Sequence, residues 1–191
     1  MFESLTQIPI QERWREQKYP LAIVAAIIRR NRLPDNDQPA YLLICRNSDP
    51  YRGKWALVGG KWDFGETLAE SIIREVREET GLETTFVALR GLVTERMASL
   101  EPTANCPAHF LIFVCDLLVM AGTAQEQGEG KVAWFSPAEM DTLHQKGAII
   151  PSDYAMLQQF SSAAPVPYSE VEMLVGENEE LTLQRFQQYD L

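Results

Sequence analysis

The sequence has no hydrophobic run long enough to cross a membrane. Its longest uninterrupted apolar segment covers residues 21–28, whereas a membrane-spanning helix needs about 20 apolar residues. A second apolar stretch, 109–122, is interrupted by Asp116. The N-terminus also lacks the basic-then-apolar pattern and the cleavage site of a secretory signal. We therefore expect a cytoplasmic protein that makes no membrane contact.

Cysteine and basic residues are also scarce. Cys45, Cys106 and Cys115 cannot all pair, and since each lies among apolar residues we expect reduced thiols that pack as small hydrophobes. The 17 Lys and Arg residues against 27 Asp and Glu give a formal net charge of −10. Such a surface repels nucleic acid, whose binding requires basic side chains. A small phosphorylated ligand stays compatible if a divalent cation bridges it to carboxylates.

The composition, 46% hydrophobic and 23% charged, is that of a soluble globular domain and excludes collagen-like and disordered classes. Apolar runs between turn residues predict strands, and 3.6-residue periodicity predicts helices, so we expect a mixed α+β fold with a core built mostly from strands. The predicted strands are 19–30, 40–46, 55–58, 86–94, 108–120 and 131–135. The predicted helices are 67–80, 137–145 and 153–160, with another short helix after Pro9.

The residues after the linker-like segment 163–167 alternate apolar and polar side chains. Segments 171–175 and 181–186 flank the sequence GENEE, which predicts a β-hairpin with a loop of about five residues. We assign residues 1–165 to one domain with its N-terminal lead-in, and 166–191 to a C-terminal extension. The apolar positions of the hairpin need a surface to cover. We therefore expect the extension to lie outside the main domain, at a homodimer interface.

The predicted helix 67–80 carries a group of acidic residues on one face. Thr67 and Glu70 form a capping box at its start, and Gly81 supplies a stop at its end. At 100° per residue, the acidic face lies beside the apolar stripe that faces the core. The acidic residues on this face are Glu75, Glu78 and Glu79.

This acidic face is unfavourable for the stability of the helix. Like charges at i,i+3 and i,i+4 each cost about 0.2–0.5 kcal/mol, and acids in the last turn oppose the helix dipole. A solvated acidic face is the alternative, but it would be interspersed with lysine, and the nearby bases are Arg74 and Arg77. Because hard cations bind clustered carboxylate oxygens, a divalent cation would reverse the sign of the cost. The cluster therefore predicts a metal site.

The residues before this helix are also suited to a metal or ligand site. Gly59 and Gly60 follow a predicted strand, and glycine lets the backbone approach a ligand closely. Glu66 precedes the helix cap, where it could pair with Arg74 and fix the loop to the helix. The alternative for Glu66, an ordinary acid at a helix N-terminus, is favoured if the residue is taken alone.

The segment 60–82 reads G-x5-E-x7-R-E-U-x-E-E-x-G-U, where U is aliphatic. This pattern resembles the Nudix box, and every defined position is filled. The seven positions that require one fixed residue type would coincide by chance in about one window in 10⁸. The flanking strands and the later WFSPAEM extend the resemblance over about 19–160, and it leaves the tail unexplained. The matching residues are Gly60, Glu66, Arg74, Glu75, Val76, Glu78, Glu79, Gly81 and Leu82.

The resemblance implies a Nudix-type α/β/α sandwich around a mixed β-sheet. It also implies a hydrolase that cleaves a phosphoanhydride bond in a nucleoside diphosphate derivative, with Mg²⁺ or Mn²⁺ as cofactor. Glu75, or a hydroxide held by the metal near it, would activate the attacking water. Arg74 would orient Glu75, and Glu66 would support Arg74. The implied metal ligands are Glu75, Glu78, Glu79 and the Gly60 carbonyl.

Nudix proteins often add a carboxylate from a loop after the box. Glu129 is the first candidate, followed by Glu126 and Glu95, and an ordinary surface acid is the alternative for each. Arg46 and Arg52 flank the turn before the box and could contact phosphates, with plain surface charge as their alternative. These five residues complete the predicted site.

Two other function classes stay open. A nucleotide-sensing regulator would use a Nudix fold to bind without catalysis, but such proteins usually have an eroded box and a basic DNA-binding domain. Here the box is intact, and the extension from Tyr168 carries six acids and Arg185 as its base. A prenyl-diphosphate isomerase would need a catalytic cysteine, and none is placed persuasively. We therefore expect a hydrolase of an ADP-ribose-like or nucleoside triphosphate substrate, with the regulator as the alternative.

Overall fold

The computed structural model describes residues 19–30, 39–49, 51–97, 108–176 and 179–189. The helix predicted after Pro9 and the thiol of Cys106 lie outside these ranges. In chain order the strands are β1 Leu21–Arg30, β2 Ala40–Arg46, β3 Trp55–Ala56, β4 Val58–Lys61, β5 Glu83–Met97, β6 Ala108–Ala121, β7 Gly130–Phe135, β8 Tyr168–Val175 and β9 Leu181–Tyr189. The helices are α1 Leu68–Thr80, α2 Pro137–Gln145 and α3 Pro151–Phe160.

A mixed sheet forms the centre of the molecule, as predicted. β1 lies parallel to β6 and antiparallel to β4, and β5 pairs antiparallel with β6 over their whole length. β2 pairs with β1 in a short antiparallel ladder near Arg29. It also pairs antiparallel with β3 and with β7. The pairing therefore places the Arg46 end of β2 beside Gly130 at the start of β7, and it places β4 beside the middle of β1.

Alternating residues of β1 divide the core into two layers. Val24, Ala26 and Ile28 face α1, whereas Ala25 and Ile27 face α2 and α3. Side chains at successive strand positions point to opposite faces of the sheet, so a strand buried on both faces is apolar throughout. The α1 residues in the first layer are Leu68, Ile72 and Val76, and the second layer includes Met140, Met156 and Leu157. The arrangement is the predicted α/β/α sandwich.

Most boundaries lie within two residues of the predictions. β5 extends three residues beyond its predicted span at each end, and two further deviations have local causes. The strand predicted at 55–58 is divided at Leu57, because the Leu57 N–H donates to the Asp153 carboxylate, at 2.7 Å, in place of a strand partner. The helix predicted from Asp153 begins earlier, at Pro151, since proline favours the first helical position. Among the described residues no helix is long and apolar enough to span a bilayer. Cys45 and Cys115 are free thiols, and Cys115 is buried.

The predicted C-terminal hairpin is confirmed. β8 and β9 pair antiparallel from Tyr168–Tyr189 to Val175–Leu181, with an irregularity after Glu172. Because strand residues alternate between faces, one face of the hairpin is apolar. Its large side chains are 46–69% exposed. They are Val171, Met173, Val175, Leu181, Leu183 and Phe186.

Candidate active site

Helix α1 begins and ends where local sequence signals place its termini. The Thr67 hydroxyl accepts the Glu70 N–H at 3.1 Å, and the Glu70 carboxylate accepts the Thr67 N–H at 2.8 Å, so the predicted capping box is complete. Gly81 ends the helix with φ 71°, a conformation that glycine adopts without penalty. The capped helix fixes which side chains of its last two turns point toward β4.

The paired glycines of β4 let this strand pass against the acidic side chains of α1. The Gly59 N–H donates to Glu79 Oε2 at 3.0 Å. A Cβ atom on Gly59 would lie 2.1 Å from the Val24 carbonyl oxygen, so the position excludes any side chain. A Cβ atom on Gly60 would lie 2.5 Å from Glu75 Oε2. Glycine is therefore required at position 59 by contact with backbone, whereas at position 60 a side chain would displace the Glu75 carboxylate.

Arg74 joins the loop before α1 to the acidic face of the helix. Its Nε and Nη2 groups donate to the two oxygens of Glu66 at 2.6 and 2.9 Å. Its Nη1 group donates to Glu75 Oε1 at 2.8 Å. The hydrogen bonds from Arg74 lower the pKa of Glu66. The structure thus brings together the three residues predicted to act in series, with Arg74 between the two carboxylates.

Glu75 and Glu79 are the inward-facing members of the acidic cluster. Burial raises the pKa of Glu75, and the charges of Glu129 and Glu78 add to the rise, against the hydrogen bond from Arg74. Burial also raises the pKa of Glu79 well above its ordinary value, and a hydrogen bond with Glu129 contributes. Desolvation and like charges both disfavour the ionised form. These carboxylates are therefore held together at a cost, as the sequence predicts.

The loop before β7 brings Glu129 to this cluster. The Asn47 N–H donates to the Glu129 carbonyl at 3.3 Å, and the Asn47 side chain donates to the Gly128 carbonyl at 2.6 Å. The Gln125 N–H donates to the Thr80 carbonyl at 2.9 Å, which fixes the loop to the end of α1. Of the three loop acids considered, the structure thus places Glu129 beside the box.

The cluster has a donor set that fits a hard divalent cation. Gly60 lets the Glu75 carboxylate lie directly against β4, close to the Gly60 backbone, and carboxylate oxygens are the ligands that Mg²⁺ and Mn²⁺ prefer. Within the described ranges, no three acidic, His or Cys side chains stand in a geometry that would hold an ion. Binding would therefore require rotation of the exposed carboxylates, Glu78 and Glu129. Glu78 is 57% exposed and meets Arg74 at 3.4 Å, so it is free to turn.

A second polar group lies near the ends of β2, β5 and the start of α3. Burial raises the pKa of Asp153 to about 7, and the charge of Glu95 adds to the rise. The Tyr51 hydroxyl donates to the Met97 sulfur at 3.4 Å. Glu95 therefore belongs to this group and not to the box. Its members are Arg46, Tyr51, Glu95 and Asp153.

The sequence analysis did not single out Asp153. An acid in the first turn of a helix is an ordinary capping feature, so its sequence position gives no signal of the tertiary contact. Of the two arginines predicted to contact phosphate, Arg46 lies near Asp153, whereas Arg52 is exposed in the turn before β3. Trp55 packs edge-on against Phe135, with ring centroids 4.6 Å apart, so its ring belongs to the core.

Residues 19–160 match the NUDIX domain family. The chain belongs to the Nudix family. The match covers the central sheet, the three helices of the described ranges and the box, and it ends before the C-terminal hairpin. Membership, which the box alone predicts, is thereby confirmed.

Two named relatives of this Nudix chain cover most of the domain. ADP-ribose pyrophosphatase from Methanocaldococcus jannaschii is 32% identical over 124 residues, which are 65% of this chain and 66% of that protein. Nucleoside triphosphatase NudI from an Enterobacter species is 34% identical over 128 residues, or 63% of this chain and 85% of that protein. The chain thus spans about two thirds of the archaeal relative's length.

Solved structures share the fold at lower identity. A NUDIX hydrolase from Nitrosomonas europaea superposes with a TM-score of 0.61 at 22% identity, covering 78% of this chain and 94% of that one. The NUDIX domain of Shewanella oneidensis NrtR, solved with ADP ribose, gives 0.58 at 19% identity, with 82% and 94% covered. These similarities establish the mixed α+β fold.

Proposed function

We propose that this Nudix chain is a Mg²⁺- or Mn²⁺-dependent diphosphohydrolase that cleaves a phosphoanhydride bond in a nucleotide derivative. The observation that carries the proposal is the close grouping of Glu75, which is partly buried, Glu79, which is buried, and Glu129, beside the paired glycines of β4. A fold that needed this helix for packing alone would gain stability by replacing them.

Each residue of the cluster has a distinct role in the proposed reaction. Glu75 accepts a proton from the attacking water, since its raised pKa makes it a better base than an ordinary carboxylate. Arg74 fixes the Glu75 carboxylate, and Glu66 fixes Arg74. Glu75, Glu78, Glu79 and the Gly60 carbonyl would hold the metal, with Glu129 as an additional ligand. When bound, Mg²⁺ or Mn²⁺ supplies positive charge against the phosphate oxygens and acidifies water.

The substrate is proposed at the level of a class, an ADP-ribose-like compound or a nucleoside triphosphate. One of the two relatives is named an ADP-ribose pyrophosphatase, and the other is named a nucleoside triphosphatase. Arg46 would contact a phosphate or the nucleoside from the end of β2, and Arg52 would do so from the exposed turn. The net charge of −10 favours a phosphorylated ligand bridged by a cation over a nucleic acid.

The first prediction is that hydrolysis requires a divalent cation. A panel of ADP-ribose and nucleoside triphosphates should release phosphate or nucleoside monophosphate with Mg²⁺ or Mn²⁺, and turnover should fall to the uncatalysed rate with excess chelator. The reason is that the clustered carboxylates would repel the substrate phosphates unless a divalent cation lay between them. Full turnover in excess chelator contradicts the metal role. Tight binding of ADP-ribose without turnover would favour the regulator instead.

The apolar face of the hairpin is proposed to pair with the same face of a second copy. A two-stranded hairpin is marginal in water, and its six exposed apolar side chains need cover. The face carries no ionisable side chain, so two acidic copies can meet there without opposing like charges. A homodimer is therefore the expected assembly.

The second prediction tests this assembly by light scattering after size exclusion. The intact chain and a Thr182→Glu variant, altered on the opposite face, should be dimers. Leu183→Glu should be monomeric, because a buried unpaired carboxylate costs several kcal/mol. Truncation after Pro167 should also give monomers. A monomeric intact chain, or a dimeric truncated chain, would exclude this interface.

A further inference from the structure

The C-terminal hairpin makes a specific contact with the start of the catalytic helix. Glu170 Oε1 accepts the Leu68 N–H at 2.9 Å, across a separation of 102 residues. The same oxygen accepts the Tyr168 hydroxyl at 2.8 Å, and Glu170 Oε2 accepts the Tyr189 hydroxyl at 3.4 Å. The two tyrosine rings are stacked, with centroids 5.6 Å apart. The carboxylate is thus held on both oxygens.

This contact completes the capping of α1. The first four N–H groups of a helix have no partner within the helix. Thr67, which lies within the Nudix box, accepts the Glu70 N–H. Glu170, which lies in the C-terminal extension, accepts the Leu68 N–H. A negative charge at a helix N-terminus is also favoured by the helix dipole. The C-terminal extension therefore supplies the hydrogen-bond acceptor for one of the first N–H groups of α1.

The contact lies directly beside the chain of residues proposed for catalysis. Glu66, which holds Arg74, is two residues before Leu68. A groove of about 290 Å³ runs between the box loop and β8, so the two do not pack continuously there. It is lined by Trp62, Glu66, Thr67, Tyr168, Ser169, Glu170 and Val171. Glu170, which lines this groove, is also the residue that accepts the Leu68 N–H.

The segment that leads to the hairpin is itself fixed to the sheet. Arg90 donates to the Ala163 carbonyl at 2.7 Å, and Arg29 donates to the Ser161 carbonyl at 3.2 Å. Asp116, buried in β6, pairs with both arginines. The base of the hairpin is therefore placed by the main domain, and Glu170 transmits that placement to the start of α1.

We propose that Glu170 is a positioning residue, which fixes the first turn of α1 and thereby aligns Glu66, Arg74 and Glu75 for reaction. The proposal rests on the hydrolase function proposed above. Glu170 acts by accepting a hydrogen bond at a defined place, so glutamine, which keeps an acceptor oxygen there, preserves most of the effect. Alanine removes the acceptor and leaves the Leu68 N–H without this partner.

The test compares Glu170→Ala, Glu170→Gln and a matched control, Glu172→Ala, which removes an exposed acid two residues along the same strand. The assay uses Mg²⁺ and the nucleotide that the unaltered chain hydrolyses. Glu170→Ala should lower kcat about tenfold and change KM less than twofold, because a small misplacement of the Glu75 carboxylate affects the reacting geometry. Glu170→Gln should stay within threefold of the unaltered chain, and Glu172→Ala should match it. An unchanged kcat in Glu170→Ala, or an equal loss in Glu172→Ala, overturns the proposal.

Amide hydrogen exchange gives a reading that does not depend on turnover. Residues 69–72 should exchange about fivefold faster in Glu170→Ala, the size expected for a lost helix cap, while α2 stays unchanged. If the unaltered chain hydrolyses nothing, the proposed function fails and exchange alone decides the role of Glu170. Unchanged exchange in the first turn of α1 would overturn that role in either case.

Discussion

Glu75→Gln should lower kcat by about 10²–10⁴-fold, the usual contribution of a positioned general base. Glutamine keeps the size of the side chain and the oxygen that accepts the Arg74 hydrogen bond at 2.8 Å. It removes the charge that would hold a metal and the site that would accept a proton. The loss should therefore be larger in kcat than in substrate affinity.

The stability of the same variant should move in the opposite direction. Burial and the charges of Glu129 and Glu78 raise the pKa of Glu75, against the hydrogen bond from Arg74, so ionising this side chain costs the folded state free energy. Removing the charge should leave the free energy of unfolding unchanged or raise it by about 0.2–0.5 kcal/mol.

Glu70→Gln is the control on the same helix. Its carboxylate caps the Thr67 N–H at 2.8 Å, a contact that glutamine can also make. It should keep turnover near that of the unaltered chain. The measurement is kcat at saturating Mg²⁺ together with the thermal midpoint of each variant. Equal kcat in both, or a strongly destabilised Glu75→Gln, would show that the cluster serves the fold.

The parts of the site that sequence reasoning predicts are those fixed by local rules. The capping box at Thr67, the stop at Gly81 and the helical spacing of the acids each follow from residues within a few positions of one another. The proximity of Glu66 and Arg74 follows from the same short segment. Local sequence is therefore enough to predict these contacts.

Contacts between distant segments could not be obtained in this way. Asp153 accepts the Leu57 N–H across 96 residues, and Glu170 accepts the Leu68 N–H across 102. Each acid looks ordinary in its own segment, one in a first helical turn and the other in an alternating strand. Tertiary packing, which no local pattern encodes, decides both contacts. Glu129 is an intermediate case: it is the first of three loop acids considered from the sequence, and the hydrogen bonds of Asn47 to its loop fix that loop in the structure.

Gly60→Ala should lower kcat on the order of 10²-fold while every charge of the site is kept. The new Cβ atom would lie 2.5–2.7 Å from the three atoms of the Glu75 carboxyl group. That carboxyl group must therefore turn away and lose its place beside Arg74, and misplacement of about 1 Å can cost this much. Folding should be affected less, because a flexible side-chain end yields more easily than backbone.

Gly128→Ala is the matched control, since Gly128 precedes Glu129 in the site loop and a Cβ atom there meets nothing within 4 Å. It should keep turnover and stability. A double variant then separates the clash from other roles of Gly60. With Glu75→Ala already present, Gly60→Ala should cost little more, because residues that act through one contact are not additive. A further loss of about 100-fold in that background would mean that Gly60 acts through its own backbone, independently of Glu75.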